Sequence, residues 1–401
     1  MHRAPSGSER RAARLETVGV GLVALWLARP FLTPGRYSVA FDTVAYSGPN
    51  HVVTMREWGA GRLPLWNDLI FGGVPHLGNA QTAALYPLRL VTAGMEVTRA
   101  LNTLVAIHLI LFAFGMLWLA RRLRLRPPAG FVTATVATAG GAVLTKTVQF
   151  EQACVVAWIP FLLVAIHAVF TSRRPARAAA GFAGAIAMSV LAGHPQITYL
   201  AGAMCVAWAF GVAWETRNWR RAGWLGVGAA VGALLTSLQL LATASATRAS
   251  AISGGRSLES LRLPDRSVEP GRLLDVLLGS VRNVNPASHA GGFESIGYVG
   301  VAALALASVA VAVAVRRVDG RRLVAILALT AVVAAVLSVG SRTVLFEWAY
   351  RAVPGFDLPR VSARWLTVAG IAIAVLAGIG ADAIAGAVVS RRTVAGAVAA
   401  A

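Results

Sequence analysis

Lysine is nearly missing from this chain: among its 37 basic residues only Lys146 is not an arginine. Charge of any kind is scarce, at 13% of 401 positions, where a soluble domain of this length carries about 25%. With 57% hydrophobic residues and a mean hydropathy of +0.65, the shortfall argues against a water-soluble globule and for lipid as the main solvent. Cysteine is scarce too. Cys154 and Cys205 both sit in apolar runs, which leaves no disulfide framework or cysteine metal centre to build. No spacing of histidines and carboxylates predicts a metal, and no cofactor is expected. Neither an internal repeat nor a separate soluble domain is visible.

Acid is in shorter supply than base, 17 residues against 37, giving a net charge of +20 and a pI near 11.6. In a soluble protein that balance would point to nucleic acid. The placement of the charges points elsewhere. A membrane helix needs about 20 largely apolar residues. Ten stretches qualify: 17–34, 97–120, 129–148, 153–171, 178–193, 197–215, 222–243, 297–315, 322–340 and 365–389. "RRLRLR" (121–126), "SRRPAR" (172–177), "RNWRR" (217–221), "RRVDGRR" (316–322) and "SRR" (390–392) follow every second stretch. With Arg3, Arg10, Arg11 and Arg14 they make one side holding 20 basic and 5 acidic residues. The positive-inside rule puts that side in the cytoplasm, so the high pI is topological and needs no nucleic acid. The fold expected is all-α: a polytopic membrane protein, one transmembrane domain over 1–401 with about ten helices. The N-terminal basic stretch and apolar run resemble a signal peptide, but no clean small-residue cleavage site follows, so the run reads as a retained first helix. "TVAGAVAAA" (393–401) reads as the start of an eleventh helix.

The opposite side carries the long segments 35–96, 244–296 and 341–364, with the short links "KTVQFEQ" (146–152) and "GHPQ" (193–196). Polar chemistry concentrates there. His108, near mid-membrane, reads as a neutral histidine bonded to a neighbouring helix or as a functional group. "GRLPLWNDLIFGGVPHLGNAQTAALYPLRL" (61–90) packs turn formers, aromatics and amides into a few turns. Pro64 restricts its neighbour, Trp66 suits the membrane interface, and Asn79 and Gln81 offer neutral donors and acceptors suited to sugar hydroxyls. Such a loop can fold over the membrane surface as a platform, or be a packed re-entrant connection.

Asp42, in "RYSVAFDTVAY", follows the first helix by a few residues and so sits near headgroup depth, where a lipid-linked phosphate would lie. It reads as a proton acceptor or as a solvated loop carboxylate. "PRVSAR" spaces Arg360 and Arg364 four apart, on one face if helical, suited to phosphate oxygens or to ordinary anionic lipid. Glu151 is a second carboxylate for orienting an acceptor, unless it pairs with Lys146. His194 and Gln196, at a helical hairpin tip, could bond phosphate or sugar, or simply cap the turn. Glu294 in "GGFESIGYVG" is a weaker candidate.

The early carboxylate followed by the 61–90 stretch resembles the first outer loop of bacterial YfhO-type membrane proteins, within the GT-C class of polytopic glycosyltransferases. "AWIPFLLVA" (157–165), "LAGHPQITYL" (191–200), "YVG" (298–300) and "PGFDLPRVSARWL" (354–366) continue the resemblance in order, over roughly 35–385. Members of that family are usually much longer, so the resemblance implies a chain cut from a longer protein. It also implies an outer-face site built from extracytoplasmic loops. There a sugar would pass from a polyprenyl-phosphate carrier to a cell-envelope acceptor, with Asp42 at the position of the catalytic base. Lys146, Glu151, His194, Gln196, Arg360, Arg364, Asn79 and Gln81 are the expected substrate-binding residues.

Rival classes are a lipid-linked sugar flippase or transporter, an envelope-polymer polymerase or ligase, and a non-enzymatic envelope scaffold. A transporter would show repeated halves and polar sites near the midplane; here polar groups gather at helix ends. The arginine pattern predicts that cysteines introduced into 35–96 and 244–296 react with a membrane-impermeant thiol reagent in intact cells. Labelling only after lysis would overturn the orientation.

Overall fold

In lipid the backbone must satisfy its own hydrogen bonds, so apolar runs become helices. The computed structural model describes residues 6–35, 42–261, 266–279, 292–316 and 320–400, without the side chains of 389–400. Arg3, the first half of "RYSVAFDTVAY", parts of 244–296 and the middle of the 316–322 arginine run lie outside the described residues.

The helices, in order, are α1 (Gly7–Leu32), α2 (Gly48–Gly59), α3 (Val97–Arg122), α4 (Ala129–Ala139), α5 (Gly141–Leu144), α6 (Phe150–Val156), α7 (Ile159–Thr171) and α8 (Pro175–Leu191). There follow α9 (Pro195–Thr216), α10 (Ala222–Leu235), α11 (Ser237–Arg248), α12 (Leu273–Leu278), α13 (Val301–Arg316), α14 (Arg321–Ser338), α15 (Val344–Ala352) and α16 (Trp365–Ala400). Between α2 and α3, β1 (Trp66–Asn67) pairs antiparallel with β2 (Val74–Pro75), Trp66 opposite Pro75.

This is an all-α membrane protein. Among the described residues six helices are long and apolar enough to cross a bilayer, and two bent pairs raise the number to eight. The difference from ten has two sources. α8 and α13, with 17 and 16 residues, fall short of the usual length. Two other stretches are broken. The 129–148 stretch bends by 50° and the 219–248 stretch by 72°. At the first bend Gly140 is extended, and the Gly141 N–H bonds to Tyr298 O at 2.7 Å instead of continuing the helix. At the second, the Thr236 hydroxyl donates back to Gly232 O at 2.9 Å, competing with the helix ladder. Residues 393–400, expected to begin an eleventh helix, continue α16 instead.

α16 is the centre of the packing. Every residue from Trp365 to Gly378 is buried. A side chain at Gly380 would collide with Leu306 O on α13, and one at Gly378 with the Thr133 hydroxyl on α4. Small residues at these crossings let backbones approach closely, the main source of helix association in lipid.

The arginine runs gather at one end. Arg121 donates to the Thr17 hydroxyl at 2.6 Å, joining α3 to α1. Arg126 pairs with Asp382 at 2.9 Å, joining the start of α4 to α16. Arg221 donates to Ser172 O at 2.7 Å, and Glu215 accepts from the Gly320 and Arg322 backbone at 2.8 and 3.0 Å.

At the other end, loop 61–90 is locked from behind. Fully buried Arg89 donates to Thr82 O at 2.8 Å and to His51 Nδ1 at 2.9 Å, and lies 5.1 Å from the Phe150 ring centroid. Burial and the Arg89 charge lower the His51 pKa to about 4, which keeps its ring neutral and able to accept that bond. The Tyr86 hydroxyl donates to His108 Nε2 at 2.5 Å and accepts from Trp158 Nε1 at 2.8 Å, while His108 Nδ1 donates to Leu104 O. The partner of His108 is therefore this loop as well as its own helix, α3. Tyr86→Phe leaves the half-buried Trp158 N–H and the buried His108 Nε2 unpaired. The expected loss is about 1–3 kcal/mol of stability with the fold retained, read by denaturation in detergent. An unchanged midpoint would mean that the hydroxyl does not hold the loop.

Candidate functional site

Local geometry at the α8–α9 turn brings two loops together. Gly193 has φ +90°, in the left-handed region that favours glycine. A Cβ there would sit 2.6 Å from Ala80 O, so the turn rests directly on loop 61–90. The next residue, His194, caps α9: its Nδ1 accepts from the Ile197 N–H at 3.2 Å. Burial, reinforced by Arg364, drives the His194 pKa well below its ordinary value. The neutral ring must then carry its proton on Nε2, which faces Arg364 Nη1 at 3.4 Å. Two donors that meet this way do not bond to each other. They converge on whatever acceptor enters between them.

Arg364 is fixed by a buried charge cluster. Glu294 Oε1 accepts from Arg364 Nε at 2.9 Å and from Nη2 at 2.6 Å, and Glu294 Oε2 accepts from Lys146 Nζ at 2.5 Å. Gln152 Nε2 adds a bond at 3.3 Å. Burial alone would raise the Glu294 pKa; Lys146 and Arg364 outweigh it and hold the carboxyl down at about 2. The remaining edge of Arg364 donates to Gln196 Oε1 at 2.8 Å and reaches Gln149 Oε1 at 3.4 Å. Gln149 Nε2 in turn donates to Asp42 Oδ2 at 2.8 Å. One chain of side chains thus runs Asp42–Gln149–Arg364–Glu294–Lys146, across four separate segments.

In front of this chain lies a cleft of about 840 Å³. Asp42, Asn79, Gln81, Glu151, His194, Gln196, Arg360 and Arg364 all line it. Of the nine expected site residues only Lys146 stands behind the wall, 2% exposed, and the weaker candidate Glu294 is buried there with it. Tyr46, Gln149, Tyr199 and Arg256 also line the cleft, and sequence reasoning gave them no role. Gln149 sits two residues from Glu151, and an amide between two charged neighbours was the available signal. Arg256 is delivered by a crossing of chains: its N–H bonds to Asp357 O at 3.2 Å and its Nε to Leu358 O at 3.2 Å. Nothing local in the sequence announces that.

Several expectations change. The alternative partner for Glu151, Lys146, is taken by Glu294 instead. Glu151 is 5% exposed, and its Oε1 has no hydrogen-bond partner among the described residues. Arg360 and Arg364 do not share a helical face: Arg360 lies outside any helix, and Arg364 closes the short turn Ser362–Arg364 before α16. They still converge on the cleft, with different freedom. Arg364 is committed to Glu294 and Gln196. Arg360 has no hydrogen bond or ion pair among the described residues. Partial burial, followed by the Arg266, Arg364 and Arg256 cations, lowers its pKa, with Asp42 acting the other way. Asn79 is largely spoken for, since Nδ2 donates to the Tyr46 hydroxyl and Oδ1 accepts from the Gln81 N–H at 3.2 Å. Burial foremost pushes Tyr46 up to about 12, so it stays a neutral hydroxyl.

The arrangement can neutralise an anion through Arg360, Arg256 and the His194–Arg364 pair, and can take up a proton at a carboxylate on the same cleft. No protein-family model matches the chain, and no curated protein matches it.

The buried cluster makes stability depend on acid in a definite direction. The Glu294 pKa lies at about 2 in the fold, against 4.5 for a free carboxyl. Its contribution is therefore complete above pH 4.5 and is lost as pH falls toward 2. Glu294→Gln leaves two buried cations facing a neutral amide and should cost about 3–5 kcal/mol at pH 7. The gap between wild type and variant should close on acidification, as followed by melting temperature in detergent. Parallel acid curves would rule out this cluster as the source.

Proposed function

We propose that this protein is a membrane glycosyltransferase of the GT-C type, which moves a sugar from a polyprenyl-phosphate carrier to a cell-envelope acceptor. The observation that carries the reading is the convergence of Asp42 with Arg360, Arg364 and Arg256 on one cleft at the end of the bundle opposite the arginine runs. A donor phosphate and a deprotonating carboxylate need to be that close, and few other chemistries need both.

In this reading the donor phosphate lies against Arg360 and Arg256, with the His194 and Arg364 N–H groups on its flank. The acceptor hydroxyl attacks the anomeric carbon from the side away from the phosphate. The new carbon–oxygen bond forms as the sugar–phosphate bond breaks, the electron pair leaves on the phosphate oxygen, and Asp42 takes the acceptor's proton. Cations placed where charge develops lower the barrier most. Gln149 holds the Asp42 carboxylate and links it to Arg364, so base and leaving-group site keep a fixed separation. Glu151, whose Oε1 has no partner among the described residues, and Gln81, which lines the same cleft, are the groups best placed to bond sugar or acceptor hydroxyls.

The reading includes a topology. α8 and α13 also cross, making ten spans, with the N-terminus in the cytoplasm and the cleft on the outer face of a bacterial cytoplasmic membrane. The 20 to 5 charge bias of the opposite end supports that orientation.

The test uses purified protein, in its full natural length, with a polyprenyl-phosphate sugar. Asp42→Asn should retain donor binding while transfer falls by at least about a hundredfold. Arg360→Ala should weaken donor use roughly ten- to a hundredfold with no loss of melting temperature, since Arg360 supports no other group. Wild-type transfer by Asp42→Asn would remove Asp42 as the base; if Glu151→Gln then abolished transfer, the base would be Glu151.

A further inference from the structure

Loop 61–90 has two halves with different surroundings. The second half packs into the protein and lends Asn79 and Gln81 to the cleft. The first half is a hairpin, β1–β2, whose apolar side chains Leu63, Leu65, Trp66, Leu69, Ile70 and Phe71 are all exposed. Phe71 is 94% exposed and has φ +52°, a backbone region that large side chains avoid. The tight turn closed by the Gly73 N–H to Ile70 O, at 2.8 Å, holds it there. A patch of this kind outside the spanning helices marks an interaction surface.

What covers it follows from what it joins. The base of the hairpin is fastened to α11: Gln239 Nε2 donates to Leu77 O at 2.8 Å, and a Cβ on Gly78 would stand 2.8 Å from the Ala246 Cβ. α11 is the second arm of a bent span, and its Leu238 and Leu241 are exposed. Exposed apolar side chains therefore lie on both partners of this junction, on a candidate membrane-spanning element and on the hairpin. Charge is concentrated at the hairpin's base, with one carboxylate, Asp68, at the start of the tip. Arg62 pairs with Glu57 at 2.8 Å, Glu57 with Arg56 at 2.9 Å, and Arg56 reaches back to Asp68 at 3.3 Å. An apolar tip with a tryptophan at its shoulder and an ion-pair belt beneath is the layering of a segment that dips into a leaflet.

We propose that hairpin 63–74 is a membrane anchor: its tip inserts into the lipid leaflet on the cleft side and holds that end of loop 61–90 at the bilayer surface. The partner is lipid, not protein, and the assignment does not depend on the reaction proposed for the cleft.

Cys154 and Cys205 are both buried, so an added surface cysteine can be labelled selectively. The test places an environment-sensitive fluorophore on Phe71→Cys, on Leu69→Cys, and on Arg62→Cys as a control in the belt. The full chain is reconstituted in phosphatidylcholine–phosphatidylglycerol vesicles. Spin-labelled lipid should quench the probes at 69 and 71, because a dipping tip lies about 5–10 Å inside the headgroup and acyl boundary. Iodide in the buffer should quench the probe at 62. Equal iodide quenching at all three positions would overturn the proposal. So would protection of 69 and 71 from both quenchers together with crosslinking between copies, which would make a second copy of the chain the cover.

Discussion

The frame behind the cleft depends on one carboxylate neutralising two cations away from water. Glu294 meets Lys146 from the α5–α6 link and Arg364 from the start of α16. A lone buried charge would cost several kcal/mol, and a single ion pair often does no better than break even. Here each Glu294 oxygen receives a charged donor, and Gln152 adds a neutral one. The cluster keeps a net positive charge, which it presents toward the cleft through Arg364. Because the three residues come from segments far apart in sequence, their meeting fixes how those segments lie. Gln149 and Gln196 then take their positions from Arg364.

That arrangement divides the arginines of the cleft into two kinds. Arg364 is part of the frame, and truncating it would damage the fold before it reported on any ligand. Arg360 holds nothing up and is surrounded by like charge. A similar division runs through the amides: Asn79 is used in bonding Tyr46 and capping the following turn, whereas Gln81 is left open. Residue type announces which side chains can bind an anion or a hydroxyl. Only the partners show which ones are free to.

Much of the cleft was legible in the sequence because polar residues in a lipid-facing chain are few and gather at helix ends. The 61–90 stretch, the "GHPQ" turn and the "PRVSAR" run stood out for that reason, and eight of the nine residues chosen from them and their neighbours line one cavity. What the sequence hid was pairing. Lys146 sits five residues from Glu151, yet its partner is Glu294, 148 positions away. Helix count suffered for a related reason. Hydropathy sees Gly140–Gly141 and Thr236 as tolerable members of apolar runs, whereas the Gly141 N–H bond to Tyr298 and the Thr236 hydroxyl bond to Gly232 mark where those runs bend. The i, i+4 spacing of Arg360 and Arg364 looked helical, but the helix begins only after Arg364.

The solitary lysine has a consequence for how this protein can be watched. Lys146 Nζ is the chain's single side-chain amine, and it is enclosed between Glu294 and the α5–α6 link. Apart from a terminal α-amine, amine-directed reagents, which decorate most proteins at many places, here have one target, and no access to it while the cluster is closed. Any modification at that position records a moment when Glu294 let go, so an ordinary acylating agent becomes a clock for the opening of the frame behind the cleft.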